Sequence, residues 1–283
     1  MIKKSLLICL TKHNNLTNFY EWALYHKNLG FNEILIIDNN SDIDIKTVCN
    51  KLNLSYIKYE KDWPNQNNLY NELFLHYIEN DTFVTCIDDD EYFWIDEEFK
   101  NINEAIDWYY TTYNYDVFYF PWNFMSFPIL LDKINGSWID ELLYRREELP
   151  KIGIQGKSIL KFNKDNQYNW NFILLNKNLG GHMPFINNKR IAINSEGEII
   201  EGLYSLSDTK IDNKTNAKIR LFHYHIKSLN DWNWKINRGS AANINQIYDK
   251  DIFKNRFFGN YNLKDLSMKN AKKRFINDGK RIL

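Results

Sequence analysis

The sequence predicts an α/β fold in which a mostly parallel central sheet is flanked by helices. Three observations carry this. The first 120 residues alternate short β-branched runs with helix-period segments, each run ends in a polar cluster, and the connections are short. Parallel strands need a crossover between them, so strand, helix, strand, helix, strand along the chain reads as one covered sheet.

The elements follow in order. Residues 5–10 form an apolar run that stops at Thr11-Lys12-His13, too short for a signal h-region or a membrane span, and read as a first buried strand. Asn15 and Thr17 are capping residues for a helix to Leu29. Its stripe of Phe19, Trp22, His26 and Leu29 recurs every three or four positions, and Gly30 closes it. Residues 33–37 are a compact β-branched run ending in the turn cluster Asp38-Asn39-Asn40-Ser41-Asp42. A strand-like piece at 54–59, a helix from about 68 to 80 and a strand at 82–87 come next, the last running into Asp88-Asp89-Asp90-Glu91. Beyond residue 116 the pattern is less regular. Strands at 116–120, 156–162 and 219–226 are separated by loops holding Gly136, Pro150, Gly153, Gly180 and Gly181, and a helix begins near Asn230-Asp231.

Composition narrows the function classes. Thirty-six Lys and Arg balance 36 Asp and Glu, so no basic footprint argues for nucleic acid. With 44% hydrophobic and 25% charged residues the chain is not a disordered one. Cys9, Cys49 and Cys86 are too few and too scattered for a disulfide framework or a zinc knuckle, and their apolar neighbours mark them as buried free thiols. The expectation is a cytoplasmic protein. Residues 250–283 differ, with ten Lys and Arg against three Asp and Glu. Two readings stand for this tail: a solvated helix packed on the domain, or peripheral contact with anionic lipid at the inner face of the membrane.

Open sheets bind ligands outside the carboxyl ends of their strands. Those ends carry Thr11-Lys12-His13, the 38–42 cluster and the 88–91 cluster, which points to one shared site. Four consecutive carboxylates repel one another, and a divalent cation offsets that cost. On extended backbone Asp88 and Asp90 share a side. His223 and His225 fall on one face of a strand, and Lys227, Ser228, Lys235 and Arg238 supply the cations and hydroxyl that a pyrophosphate needs. Trp63, Trp122 and Trp138 are candidates for stacking on a sugar or a base, with core packing as the alternative.

Taken in order, Glu21-Trp22, Tyr25-His26, Leu29-Gly30, Ile37-Asp38-Asn39-Asn40-Ser41-Asp42, Gln66 and Ile87-Asp88-Asp89-Asp90-Glu91-Tyr92-Phe93 resemble the nucleotide-sugar half of a glycosyltransferase. With Gly156-Lys157-Ser158-Ile159, Gly181-His182-Met183-Pro184, His223-Tyr224, Lys227-Ser228, Lys235 and Arg238-Gly239, the pattern is similar to glycosyltransferase family 92 and related family-2-like bacterial enzymes. Asp89 fills that pattern's variable position, Tyr92 stands where Phe is usual, and the segment 138–146 departs from it.

The resemblance implies a GT-A, Rossmann-like fold over residues 1–245, with a nucleotide-sugar half (1–115), an acceptor half (116–245) and a basic helical tail (246–283). It implies Mn²⁺ or Mg²⁺ held by Asp88, Asp90 and His223. It also implies a nucleotide-sugar pocket drawn from Thr11, Lys12, His13, Asp38, Asn39, Gln66, Asp88, Asp89, Lys157, His182, Lys227 and Arg238. The activity implied is inverting transfer from a UDP-sugar, UDP-galactose being the family's best-known donor, to a hydroxyl of a glycan or lipid-linked acceptor. Asp140 and Glu141, after the loop at 135–138, are the candidate catalytic carboxylates. Two other classes remain as alternatives. A sugar-phosphate nucleotidyltransferase would carry a Gly-rich loop after the first strand, and residues 10–15 contain no Gly. A non-catalytic carbohydrate-binding protein would bind sugar without nucleotide or metal.

Overall fold

At the centre of the computed structural model lies β1 (Lys4–Thr11), buried on both faces. The structure describes residues 4–60, 66–127, 132–146, 156–166, 168–169, 185–186, 191–201, 217–225, 227–238 and 263–276. The alternation of β1 builds two layers: Leu7 and Cys9 enter one core, and Leu6, Ile8 and Leu10 the other. The first core is covered by α1 (Leu16–Leu29), which contributes Phe19, Trp22, Ala23, Tyr25 and Leu29. The Asn15 side chain caps its start by accepting from Asn18 N–H at 3.0 Å. Gly30 ends it at φ 102°, where an added Cβ would stand 2.8 Å from Asn101 Cβ, so both backbone angle and space call for glycine.

Then come β2 (Glu33–Asp38), α2 (Ile45–Leu52), β3 (Ser55–Lys58), α3 (Gln66–His76), β4 (Thr82–Cys86), β5 (Glu91–Ile95), α4 (Ile102–Tyr113) and β6 (Val117–Ser126). After them are α5 (Trp138–Glu141), β7 (Tyr144–Arg145), β8 (Gly156–Lys161), β9 (Tyr168–Asn169), β10 (Phe185–Ile186), β11 (Ile191–Asn194) and β12 (Ile199–Glu201). The last described are β13 (Ile219–His223), α6 (Leu229–Arg238), β14 (Leu263–Lys264) and α7 (Ser267–Phe275).

The main sheet runs β12-β11-β6-β8-β4-β1-β2-β3. Strands β3, β2, β1 and β4 are parallel neighbours, and β8 enters antiparallel between β4 and β6. The long strand β6 also carries β13 as a parallel neighbour, and β13 in turn pairs antiparallel with β5. Helix α3 covers the second core with Leu69, Tyr70 and Leu73. The expected α/β class with helices on a central sheet is what the structure shows.

Details differ from the sequence reading. Helices α2 and α4 fill stretches left unassigned, and α3 ends at His76, short of the expected residue 80. The basic C-terminal segment contributes α7, which packs on α1, α5 and β5 and buries Met268, Ala271, Lys272 and Phe275. Among the described residues no helix is long and apolar enough to cross a membrane.

Candidate functional site

The register of the parallel strands sets three chain ends side by side. Thr11 pairs with Asp38 at the end of β2, and Ile8 pairs with Cys86 at the end of β4. The loops beyond are joined: Asn39 N–H donates to the Thr11 carbonyl at 2.8 Å, Asp42 N–H to the His13 carbonyl at 2.9 Å, and the Thr11 hydroxyl donates to Asp89. Thr11, His13, Asp38, Asn39 and the acidic run therefore share one place, with Lys12 half-buried beside them. Asp38 is held within its own turn, accepting from Ser41 N–H at 2.9 Å and from the Tyr56 hydroxyl at 3.0 Å.

The acidic run is not the extended backbone that the sequence reading assumed. Glu91 N–H donates to the Asp88 carbonyl at 3.1 Å, closing a tight turn with Asp89 and Asp90 at its centre. The three aspartates consequently meet three sets of partners. Asp89 takes the Thr11 hydroxyl. Asp88 Oδ2 takes Lys157 Nζ at 3.2 Å. Asp90 Oδ2 lies 2.9 Å from Lys227 Nζ and 3.9 Å from Lys235 Nζ, and its Oδ1 lies 3.3 Å from His223 Nε2.

Each cation is placed by a distinct piece of the fold. Lys157 follows Gly156, which lies so close to β6 that an added Cβ would collide with the Phe120 carbonyl and stand 2.7 Å from Pro121 Cα. This close approach seats a lysine with only 2% exposure, 3.7 Å from the fully buried Glu91. His223 ends β13 opposite Glu91, and Tyr224 N–H donates to the Asp90 carbonyl at 2.9 Å, so the chain delivers Lys227 next to Asp90. Helix α6, whose Asp231 N–H is capped by Ser228 Oγ at 3.2 Å, carries Lys235. It also carries Trp234, whose indole N–H donates to Asp42 Oδ2 at 3.1 Å and links α6 to the β2 loop. Lys227 Nζ sits 4.1 Å from the centre of the Trp138 ring, and His13 stacks on that ring at 5.9 Å. Trp122 and Trp138 are buried, so both pack under the cations and offer no open stacking face.

Electrostatics follow from this arrangement. Burial would raise Asp90, but Lys227, His223 and Lys235 hold it well below the ordinary carboxylate range. Burial likewise opposes ionisation of Asp88, but Lys157, helped by His223, leaves its pKa lowered. Glu91 is the contrary case: burial pushes it well above its usual value and Lys157 only partly offsets this. Burial alone would lower the Lys157 ammonium, whereas Asp88 and Glu91 raise it. His223 is lowered by burial despite Asp90.

The expected ligand set of Asp88, Asp90 and His223 does not fit a divalent ion in this arrangement. Among the described residues no group of three or more His, Cys, Asp or Glu is placed to hold a metal. Asp90 and His223 are close enough to share an ion, but Asp88 is turned to Lys157, and both contacts on Asp90 Oδ2 are ammonium groups. A divalent ion about 4 Å from one ammonium is repelled by about 8 kcal/mol at an effective dielectric of about 20.

Of the candidate catalytic carboxylates, Asp140 lies on α5 two residues beyond Trp138. Its Oδ2 is paired with Lys272 of α7, which also meets Glu21 at 2.6 Å. The Ser137 hydroxyl donates to the other Glu21 oxygen at 2.7 Å, so α1, α5 and α7 are tied by one buried cation. Glu141 packs over Gly136. Gln66 opens α3 and Arg238 closes α6, with side chains outside the described set, and His182 and Trp63 lie outside the described residues altogether. The sequence reading named Lys235 as a cation for pyrophosphate without placing it on Asp90. It missed Lys272 as a partner of Asp140, since 132 residues separate the two and nothing local marks the pair.

No protein-family model matches the sequence, and no curated protein matches it. In shape the chain is similar to glucosyl-3-phosphoglycerate synthase from Mycobacterium tuberculosis in complex with Mg²⁺ and uridine diphosphate, at 9% identity over 42% of this chain and 43% of that one, with a TM-score of 0.30. The same enzyme with Mn²⁺, UDP-glucose and phosphoglyceric acid gives 10% identity, 50% and 47% coverage and a TM-score of 0.31. CTP:phosphocholine cytidylyltransferase from Streptococcus pneumoniae gives 15% identity, 56% and 68% coverage and a TM-score of 0.29. The chain thus spans less than half the length of the synthase. At such TM-scores the likeness carries no inference about activity.

Proposed function

We propose that the protein is a glycosyltransferase that moves a sugar from a UDP-sugar to a hydroxyl of a glycan or lipid-linked acceptor. The observation that supports this reading best is the cluster at the strand ends, where ammonium groups of Lys157, Lys227 and Lys235 are held by aspartates beside the loops of β1 and β2. Loops at this position of an α/β sheet suit a nucleotide, and fixed cations suit its diphosphate.

The chemistry proposed follows from where charge develops. The acceptor oxygen attacks the anomeric carbon from the face opposite the diphosphate, with inversion. The bond from that carbon to the β-phosphate oxygen breaks, and its electron pair stays on the phosphate. Lys227 and Lys235 face the oxygen on which negative charge grows and stabilise the transition state more than the ground state. The acceptor proton goes to a carboxylate of α5, Glu141 or Asp140, the latter kept in place by Lys272.

The test is a product assay. Incubation with a panel of UDP-sugars, UDP-galactose first, and a glycan or glycolipid acceptor mixture is expected to release UDP with formation of an acceptor–sugar product. Release of pyrophosphate from UTP and a sugar phosphate, with no UDP from any UDP-sugar, would replace the reading by a nucleotidyltransferase.

A further inference from the structure

We infer that lysine side chains, and not a divalent metal ion, hold the donor diphosphate in this site. The inference rests on the nucleotide-sugar reading above and specifies how that site handles charge.

Around the acidic turn, two aspartates, Asp88 and Asp90, already face three ammonium groups. Lys227 and Lys235 both address Asp90 Oδ2, and Lys157 addresses Asp88 Oδ2. An ion seated between Asp88 and Asp90 would have to expel these contacts, and it would sit against the same positive charges that make a phosphate welcome. Each ammonium has three N–H donors, so Lys227 can keep Asp90 and still donate to a phosphate oxygen. Its position is further fixed by the Trp138 ring, 4.1 Å away. Asp88 and Asp90 then act as positioning residues that order the lysines, and Glu91, fully buried behind Lys157, belongs to the same support. The signature of acidic residues is thus retained while the cation they hold is part of the chain.

The experiment is a melting series on the full chain with UDP, once in EDTA and once with Mn²⁺. A ligand that binds only the folded state raises the melting temperature. The inference predicts the same rise in both conditions, with UDP affinities agreeing within about threefold. It also predicts that Lys227→Met weakens UDP about tenfold or more in EDTA, as loss of a charge-assisted bond to phosphate does. If that variant does not fold, as its own melt would reveal, Lys235→Met takes its place. A rise seen only with Mn²⁺ overturns the inference and leaves the nucleotide reading standing. No rise in either condition overturns both.

Discussion

Replacing Lys227 by methionine is expected to lower turnover on a UDP-sugar by about 100- to 1,000-fold, the usual consequence of removing one preorganised donor to a developing anion. Lys227 Nζ is 2.9 Å from Asp90 and is pinned over Trp138, so its ammonium is directed before any ligand arrives. The loss should fall mainly on kcat, because the charge it meets grows as the glycosidic bond breaks. Methionine keeps the length and the contact with the indole ring, but it leaves buried Asp90 without its nearest cation, so the variant should melt below the parent and turnover is compared per folded protein. Arginine at this position restores the charge with a different donor geometry and should recover part of the rate. Equal turnover in the parent and the methionine variant would remove Lys227 from the chemistry.

The largest stability effect is expected at Lys157. This side chain is 2% exposed and lies between Asp88 and the completely buried Glu91. Lys157→Met takes the cation from Asp88 and leaves the buried Glu91 side chain without its partner, and leaving a buried polar group unpaired costs about 1–3 kcal/mol. Urea unfolding, read at constant slope, measures it. Adding Glu91→Leu should recover much of the loss, because the buried acid left unpaired is removed with its partner. A change under about 1 kcal/mol in the single variant would mean that the ammonium does not compensate Glu91.

How far the site could be read from the chain depends on the range of each interaction. The β-branched runs of β1, β2 and β4 and the polar clusters at their ends are local signals, and register alone then aligns Thr11 with Asp38. Helices α2 and α4 carried usable signals: Ile45, Val48, Cys49 and Leu52, and Ile102, Ala105, Ile106 and Tyr109, fall at helical spacing and are buried. Asn101 with Glu104 also supplies the capping pattern, the Asn101 side chain accepting from Glu104 N–H at 3.0 Å. What sequence could not supply is the path of the backbone through the acidic run. Four carboxylates in a row are compatible with a strand end or a turn, and the turn at 88–91 decides that Asp88 meets Lys157 while Asp90 meets Lys227. Those partners lie 69 and 137 residues away, brought in by β8 and by the segment after β13. The tie from Lys272 to Asp140 is of the same kind, since only the docking of α7 on α1 and α5 creates it.

The measurement that bears most directly on the site is a calorimetric titration of the full chain with UDP and, separately, with uridine. Recognition centred on the lysines at Asp88 and Asp90 predicts that UDP binds and that uridine, lacking the phosphates, binds at least about tenfold more weakly. Equal affinity for the two, or no heat from either, would contradict it.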